Sequence, residues 1–166
     1  MSESFISSRP AQPDDEPFLC ELYASTRKEE ISSYGWDAAQ QGAFLTLQFT
    51  AQRRHYEMAY PDAEHRIILI EHLPAGRILI FRTQQEFLLV DIALLPEHRG
   101  HGIGTALIRE FIDEGAAKAV TVKLHVEKHN RAARLYERLG FTVIGDSGVY
   151  YEMARPPIGQ QQSGSR

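Results

Sequence analysis

The chain has 166 residues and a formal net charge of −4, and 43% of its residues are hydrophobic and 24% charged. These values fit one globular domain with a sizeable core, and the acidic balance without a dense basic run argues against a nucleic-acid binder. No apolar stretch is long enough to span a bilayer and no signal peptide is present, so we expect no membrane partner. The single cysteine, Cys20, excludes an intramolecular disulfide, fits a reducing cytoplasm, and is expected to be buried among apolar neighbours.

The first third of the chain predicts a short strand and two helices. The strand and the first helix cover residues 5–9 and 13–26, and a polar connection follows. Asp37 and Gln40 form a capping-box pattern, so a second helix begins there and reaches about residue 59. Its predicted inner face carries Phe44, Leu47, Ala51 and Met58.

Three strands are predicted next, at residues 65–72, 77–83 and 87–94. The turns at residues 73–76 and 83–86 are short enough for antiparallel hairpins. The third strand belongs to an almost unbroken apolar run, interrupted only by Asp91, which indicates a strand buried on both faces.

A glycine-rich turn follows this run and opens a helix whose apolar residues recur at helical spacing. The first N–H groups of such a helix have no internal partner and carry the positive end of its dipole. Gly100, Gly102 and Gly104 let a ligand approach the bare backbone, and Arg99 adds a fixed positive charge. The turn therefore predicts a binding site for a phosphate or pyrophosphate.

The remaining elements are a strand, a helix and two last strands, at residues 120–126, 130–139, 142–145 and 149–154. We expect a single domain over residues 1–155 and a disordered tail over residues 156–166, which is rich in Gln, Gly and Pro.

Two phosphate-binding patterns can be compared with this turn. A Walker loop would end in Gly-Lys-Ser/Thr, which is absent, whereas a dinucleotide fingerprint would have glycine or alanine where Thr105 stands and would need more chain after Glu127. The spacing from Arg99 to Gly104 instead follows Arg-x-x-Gly-x-Gly. Here the chain resembles the GNAT superfamily of acyl-coenzyme A-dependent N-acetyltransferases.

A second block supports the resemblance. Leu124-His125-Val126, then Asn130, then Leu135-Tyr136-Glu137 and Gly140-Phe141 are similar to the strand, Asn-capped helix and "LYE-x-x-GF" segment of that family. The two blocks lie in the expected order and together cover residues 86–154. The interval from Asn130 to Tyr136 is one residue shorter than in many members.

The resemblance implies an α/β fold with a central mixed, largely antiparallel sheet of about seven strands and about four flanking helices. The fourth and fifth strands of that sheet splay apart, and the pantetheine arm of acetyl-coenzyme A lies between them. The residues expected to bind the cofactor are Ile92, Leu94, Arg99, Gly100, His101, Gly102, Ile103, Gly104, Thr105, Asn130, Ala133 and Tyr136.

The implied reaction moves an acetyl group from the thioester to a primary amine by direct attack, which calls for a proton acceptor and a proton donor. Tyr136 stands at the position that lies beside the coenzyme A sulfur in many members and is the expected acid, the alternative being a packing role. For the base, His125 stands where some members carry a glutamate, and a histidine titrates near neutral pH. Asp91 is the other candidate, because a charge within an apolar run is costly unless it is paired or used.

Glu29 and Glu30 lie where the family builds its acceptor pocket, and the alternative is a solvated helix end. Tyr34 is expected to form a lid over the acceptor together with Trp36, and the alternative is a packing anchor. The histidine pairs at 98/101 and 125/129 are poorly arranged for zinc, so no metal is expected. The expected substrate is a small-molecule or peptide amine, and the sequence leaves open whether the chain forms a homodimer. The second candidate function is an inactive coenzyme A-binding regulatory module.

Overall fold

The computed structural model describes residues 4–157, and within them it contains seven strands, four α-helices and two short 3-10 turns. The strands are β1 (Ile6–Pro10), β2 (Glu64–Ile70), β3 (Leu73–Arg82), β4 (Glu86–Leu94), β5 (Thr121–Glu127), β6 (Thr142–Asp146) and β7 (Tyr150–Arg155). The helices are α1 (Glu16–Ser32), α2 (Ala38–Ala59), α3 (Ile103–Ala117) and α4 (Ala132–Arg138). Most of the predicted tail, residues 158–166, lies outside the described residues.

The seven strands form one sheet in the order β1-β2-β3-β4-β5-β7-β6. The pair β4–β5 is parallel, while β1–β2, β5–β7 and β6–β7 are antiparallel. The predicted mixed, largely antiparallel sheet with four helices is therefore confirmed. No described helix is both long and apolar enough to cross a membrane.

Contacts group the chain into two compact units. The first unit contains the chain up to Ile78 together with Ile92–His101, and the second contains Leu79–Asp91 together with the chain from Gly102 onwards. The single domain expected for residues 1–155 stays a prediction.

In the first unit, α1 is longer than predicted. It runs to Ser32 instead of ending near Thr26, because the good helix formers of residues 27–30 are followed by Ile31, which is buried at 1% exposure. The helix begins after a 3-10 turn in which Asp15 binds Arg9 through two bonds of 2.7 and 2.8 Å. Cys20 is half-buried, so the prediction of a buried cysteine was wrong.

The start of α2 is confirmed, but only part of its predicted inner face is buried: Phe44 is half-buried and its ring lies 5.1 Å from that of Trp36. Asp37 and Gln40 form the expected capping box, with Gln40 donating its backbone N–H to Asp37 at 2.8 Å. Leu47 and Met58 are 66% and 84% exposed, and the fully buried position is Phe49, whose ring lies 5.9 Å from that of Tyr23. The apolar residues Leu47 and Met58 lie outside the buried side of the helix, so the sequence pattern was misleading.

The turn between β2 and β3 lies at Glu71–His72, and both residues have left-handed backbone angles, with φ of 49° and 68°. The predicted turn at residues 73–76 is part of β3 instead. Gly76 has a packing role there, since a Cβ at this position would lie 2.2 Å from the carbonyl oxygen of Ala93. A glycine required by close approach of two strands thus resembles a turn glycine in sequence.

In the second unit, α3 packs against β4 and β5. The rings of Phe87 and Phe111 stack at 5.8 Å, and a Cβ at Gly115 would lie 2.5 Å from a methyl group of Val122. Phe87 and Leu89 are buried whereas the alternate residues of β4 are half-buried, so the expectation of burial on both faces was wrong.

Candidate active site

The glycine-rich turn has a backbone that a phosphate could approach. Gly100 and Gly102 have φ of 76° and 80°, and a Cβ built at either position would meet nothing within 4 Å. Gly102 is the N-cap of α3, and no side chain caps that end, so the first N–H groups of a 15-residue helix lack a capping partner. Open space beside uncapped helical donors is the geometry that binds anionic groups at helix N-termini.

The other predicted residues of this turn differ in exposure. His101 is exposed, Ile103 is buried, and Gly104 and Thr105 are half-buried. Ile103 therefore holds the first turn of α3 in the core, while its neighbours keep some access to solvent.

Arg99 is held in place by two hydrogen bonds within the first unit. Its guanidinium donates to the carbonyl oxygen of Leu94 at 2.9 Å and to the Ser25 hydroxyl at 3.2 Å. Ser25 belongs to α1 and in turn donates to Leu22. Ser25 was not predicted from the sequence. It lies 74 positions from Arg99 along the chain, so no local pattern indicates this contact.

Tyr136 lies on the second turn of α4 and is 7% exposed. Its ring meets that of Phe141 edge-on at 6.0 Å. Burial first, and the negative charge of Asp91 second, raise the pKa of Tyr136 to about 12. The hydroxyl therefore keeps its proton throughout the neutral range.

The strands β4 and β5 are paired over only part of their length. The pairs run from Glu86–Thr121 to Leu89–Leu124, and among the described residues none follows. Both strands continue beyond the last pair, and β5 stays paired with β7 as far as Glu127. The predicted divergence of these two strands is thus visible just where Asp91 and His125 lie.

The two candidate bases are on opposite faces of the sheet. Phe87 and Leu89 pair with Val122 and Leu124, so strand alternation places Asp91 on that same face, which α3 covers. His125 alternates to the other face and is exposed. It pairs directly with Glu152 of β7, a neighbour that sequence analysis missed although both strands had been predicted.

The face that carries His125 is polar. Lys123 binds Glu86 at 2.8 Å and lies 3.9 Å from Glu152. Its hydrogen bond with Glu86 raises the pKa of Lys123. The carboxylate of Glu152 lies beside Gly145, where a Cβ would be 3.1 Å from one of its oxygens.

Asn130 stands one residue further from α4 than predicted. The N-cap is Arg131, and the helix covers residues 132–138 instead of 130–139. The Asn130 side chain nevertheless accepts the backbone N–H of Ala132 at 2.9 Å, so it orders the entry to the helix. Ala133 is half-buried in the first turn.

The three predicted acceptor residues lie in and just after the last turns of α1. The Tyr34 hydroxyl donates to Glu30 at 3.0 Å, which raises the pKa of Tyr34. Arg27 also binds Glu30, at 3.3 Å, and Glu29 is exposed. The Tyr34 ring packs against Trp36 at 5.0 Å.

Within residues 4–157, no three His, Cys, Asp or Glu side chains are gathered as metal ligands.

The fold is that of solved N-acetyltransferases. The PaiA N-acetyltransferase of Thermoplasma acidophilum, solved with coenzyme A, superposes with a TM-score of 0.68 at 17% identity, covering 92% of this chain and 99% of that one. The ribosomal-protein-S18-alanine N-acetyltransferase of Escherichia coli gives a TM-score of 0.58 at 21% identity, covering 92% and 94%. At these identities the likeness concerns the fold alone.

Sequence comparison identifies the family. The acetyltransferase (GNAT) family model matches residues 20–141, and the chain therefore belongs to that family, whose members use acetyl-coenzyme A. A [ribosomal protein bS18]-alanine N-acetyltransferase of Haemophilus influenzae is 37% identical over 67 residues. That match covers 40% of this chain, which spans about half (46%) of the relative's length. The predicted family, fold and acyl donor are confirmed.

Proposed function

We propose that the protein transfers the acetyl group of acetyl-coenzyme A to a primary amine of a small molecule or peptide, by direct attack of the amine. The observation that carries this proposal is the state of Tyr136, buried in α4 at 7% exposure with a pKa of about 12. A hydroxyl that stays protonated inside the protein can donate a proton to a departing thiolate. Tyr136 is the proposed general acid.

The glycine-rich turn is the proposed phosphate site. The uncapped N-terminus of α3 supplies N–H donors, Gly100 and Gly102 leave open space beside them, and Gly104 belongs to the same proposed site. Arg99, fixed by Leu94 and Ser25, is proposed to supply positive charge. Ile92, Leu94, His101, Ile103, Thr105, Asn130 and Ala133 complete the proposed set. Bound acetyl-coenzyme A would supply the acetyl group as an activated thioester.

The proton acceptor is proposed to be His125, with Asp91 as the second candidate. His125 is exposed and lies one residue beyond the last β4–β5 pair, so it can reach solvent and an incoming amine. A neutral imidazole accepts a proton in the physiological range. Asp91 lies on the face with the buried Tyr136, where its charge already acts on that hydroxyl.

The first acceptor to test is the α-amine of a peptide that begins with alanine, since the Haemophilus influenzae relative is named for that activity. Glu29 is exposed and proposed to attract a cationic amine, with Tyr34 beside it. Glu30 already binds Arg27 and Tyr34, which reduces its free negative charge.

A cytoplasmic location is proposed from the single cysteine.

The donor site can be tested by thermal unfolding with and without acetyl-coenzyme A, because a ligand that binds only the folded state raises its stability. Gly102→Val should abolish the ligand-induced rise in Tm. Gly148→Val is the matched control, since Gly148 also has positive φ (94°) and open space but lies in the β6–β7 turn. Both variants suffer similar backbone strain, so equal ligand-induced rises in Tm would refute the assignment.

Turnover separates the enzyme from an inactive coenzyme A-binding module. Thiol release should be measured with alanine-initiated peptides, other peptide N-termini, amino acids, polyamines and aminoglycosides. Release that depends on an amine and on Tyr136 supports the transferase. Binding of acetyl-coenzyme A without release for any acceptor would favour the regulatory module.

A further inference from the structure

The guanidinium of Arg99 is held by two acceptors that carry no charge. Its Nε–H donates to the carbonyl oxygen of Leu94 at 2.9 Å, and its Nη2 donates to the Ser25 hydroxyl oxygen at 3.2 Å. Among residues 4–157, no carboxylate forms an ion pair with this guanidinium. The two bonds therefore orient the Arg99 side chain and leave its positive charge for a ligand.

The Arg99 side chain also keeps donors for such a ligand. A guanidinium has more N–H groups than these two bonds use, and its Nη1 has no partner in the part of the chain that the structure describes. Arg99 is exposed, so a ligand from solvent can reach it. A charged planar group with free N–H donors matches the oxygens of a phosphate.

The Ser25 hydroxyl acts only as an acceptor towards Arg99, because its own proton is used within α1. It donates to the carbonyl oxygen of Leu22, three residues earlier, at 2.7 Å. This bond fixes the rotation of the hydroxyl and leaves the oxygen lone pairs for the guanidinium. An alanine at this position would remove the acceptor and keep a residue that favours the helix.

The helix α1 gives Ser25 a fixed position within the first unit. The helix begins after the turn in which Asp15 binds Arg9 through two bonds of 2.7 and 2.8 Å. Leu22 and Ile31, on either side of Ser25 along the helix, are each 1% exposed. A residue that orients a binding group is effective when packing holds its own place.

We propose that Ser25 is a positioning residue that orients the Arg99 guanidinium for a phosphate group of coenzyme A. The inference rests on the proposed function, in which Arg99 belongs to the phosphate site. With the hydroxyl present, the guanidinium is already oriented when a phosphate arrives, so binding costs less side-chain entropy. Without it, Arg99 keeps its charge but has more freedom. Ser25 thereby contributes to the preference for a phosphorylated thioester over a phosphate-free one.

The first test measures the Kd for coenzyme A by titration calorimetry, which needs no turnover. Ser25→Ala should raise this Kd about three- to tenfold, the size of an ordinary hydrogen-bond contribution. Ser25→Thr keeps the hydroxyl and should keep a Kd near the native value. Ser32→Ala is the matched control, since the Ser32 hydroxyl also donates to a carbonyl of α1 at 2.7 Å but does not contact Arg99. An unchanged Kd in a folded Ser25→Ala protein overturns the proposal.

The second test asks whether Ser25 acts through Arg99. Arg99→Ala should raise the Kd for coenzyme A more than Ser25→Ala does. Adding Ser25→Ala to Arg99→Ala should then change the Kd little, because two residues that act as a unit give non-additive losses. Additive losses would mean that Ser25 affects binding by another route, and they would contradict the positioning role.

The third test compares acetyl-coenzyme A with S-acetylpantetheine, which has the same thioester arm without phosphates. Ser25→Ala should raise KM for acetyl-coenzyme A with little change in kcat, and it should leave kcat/KM for S-acetylpantetheine unchanged. Equal losses of kcat/KM with both donors would indicate a general structural effect and refute the proposal.

The binding and turnover results distinguish this inference from the proposed function. If Ser25→Ala weakens coenzyme A binding as expected but no amine is acetylated, the proposed function fails while the positioning role of Ser25 stands. If amines are acetylated and the Kd for coenzyme A is the same in Ser25→Ala and the native protein, the proposed function stands and the positioning role fails.

Discussion

The two faces of β5 differ in almost every respect. One face carries Val122, Leu124 and Val126, all at most 4% exposed, and it is covered by α3 and α4. The other carries Lys123, His125 and Glu127; Lys123 lies near the carboxylates of Glu86 and Glu152, and His125 pairs with Glu152 in the strand register. The strand thus separates an apolar side, where charge is disfavoured, from a hydrated side, where charge is compensated by neighbours.

The two faces of β5 offer different environments for the two proposed proton transfers. On the apolar side a phenol keeps its proton, because burial and Asp91 both oppose ionisation. On the hydrated side the imidazole of His125 is exposed and pairs in register with Glu152. The proposed acid and the proposed base therefore lie in environments that favour their different starting states.

The largest expected effect is the difference in stability between substitutions on the two faces. Leu124→Ala should lower the free energy of unfolding by about 3 kcal/mol, since Leu124 is 1% exposed and the lost volume leaves a cavity. Lys123→Ala, one residue away, should cost less than about 1 kcal/mol, because its ion pair with Glu86 is partly exposed. Urea unfolding of both variants measures the contrast, and equal losses would contradict the division into a core face and a hydrated face.

The next effect concerns the acid on the apolar face. Tyr136→Phe should lower kcat by roughly tenfold to a thousandfold, the contribution of one general acid, with nearly unchanged affinity for acetyl-coenzyme A. Steady-state kinetics and calorimetric binding separate the two quantities. Tyr151→Phe is a suitable control. Tyr151 pairs with Val126 on the apolar face of the sheet, but it is half-buried and its ring contacts the Lys128 ammonium group. Native turnover in Tyr136→Phe would leave Tyr136 with a packing role only.

A third effect is the loss of stability at alkaline pH. The pKa of Tyr136 is about 12 in the folded protein and 10.0 ordinarily, so between these pH values the unfolded chain has lost a proton that the folded chain retains. The free energy of unfolding should therefore fall as pH rises through this window, by about 3 kcal/mol in total. Tyr136→Phe should remove that part of the decline. An identical alkaline decline in both proteins would show that burial does not disfavour the tyrosinate.

Sequence analysis succeeded where local chemistry determines structure. The Gly102 turn, the capping box at Asp37 and the amphipathic α3 depend on residues that are close in sequence, and all three were predicted. The order of strands and helices followed from the same local signals.

The errors came from contacts between distant residues. Gly76 resembled a turn residue because its actual constraint, the Ala93 carbonyl, lies in another strand. The Glu71–His72 turn was missed because it contains no glycine, asparagine or aspartate, the residues that usually mark such turns. For the candidate site, the residue types could be chosen from sequence, but the opposite faces of Asp91 and His125 depend on the β4–β5 register, which only the structure supplies.

The smallest expected effect concerns His125 on the hydrated face, where a substitution should change stability least. His125 is exposed, so His125→Gln should leave Tm nearly unchanged and should lower kcat/KM about tenfold or more if the imidazole accepts the amine proton. If the imidazole is the base, the native enzyme should gain activity as rising pH removes its proton, and the variant should lack this gain. Glu127→Gln is the matched control, because Glu127 is exposed on the same face two residues further on and should retain the native pH profile. A native profile in His125→Gln would remove His125 from the reaction and leave Asp91, or water acting on an already neutral amine, to take the proton.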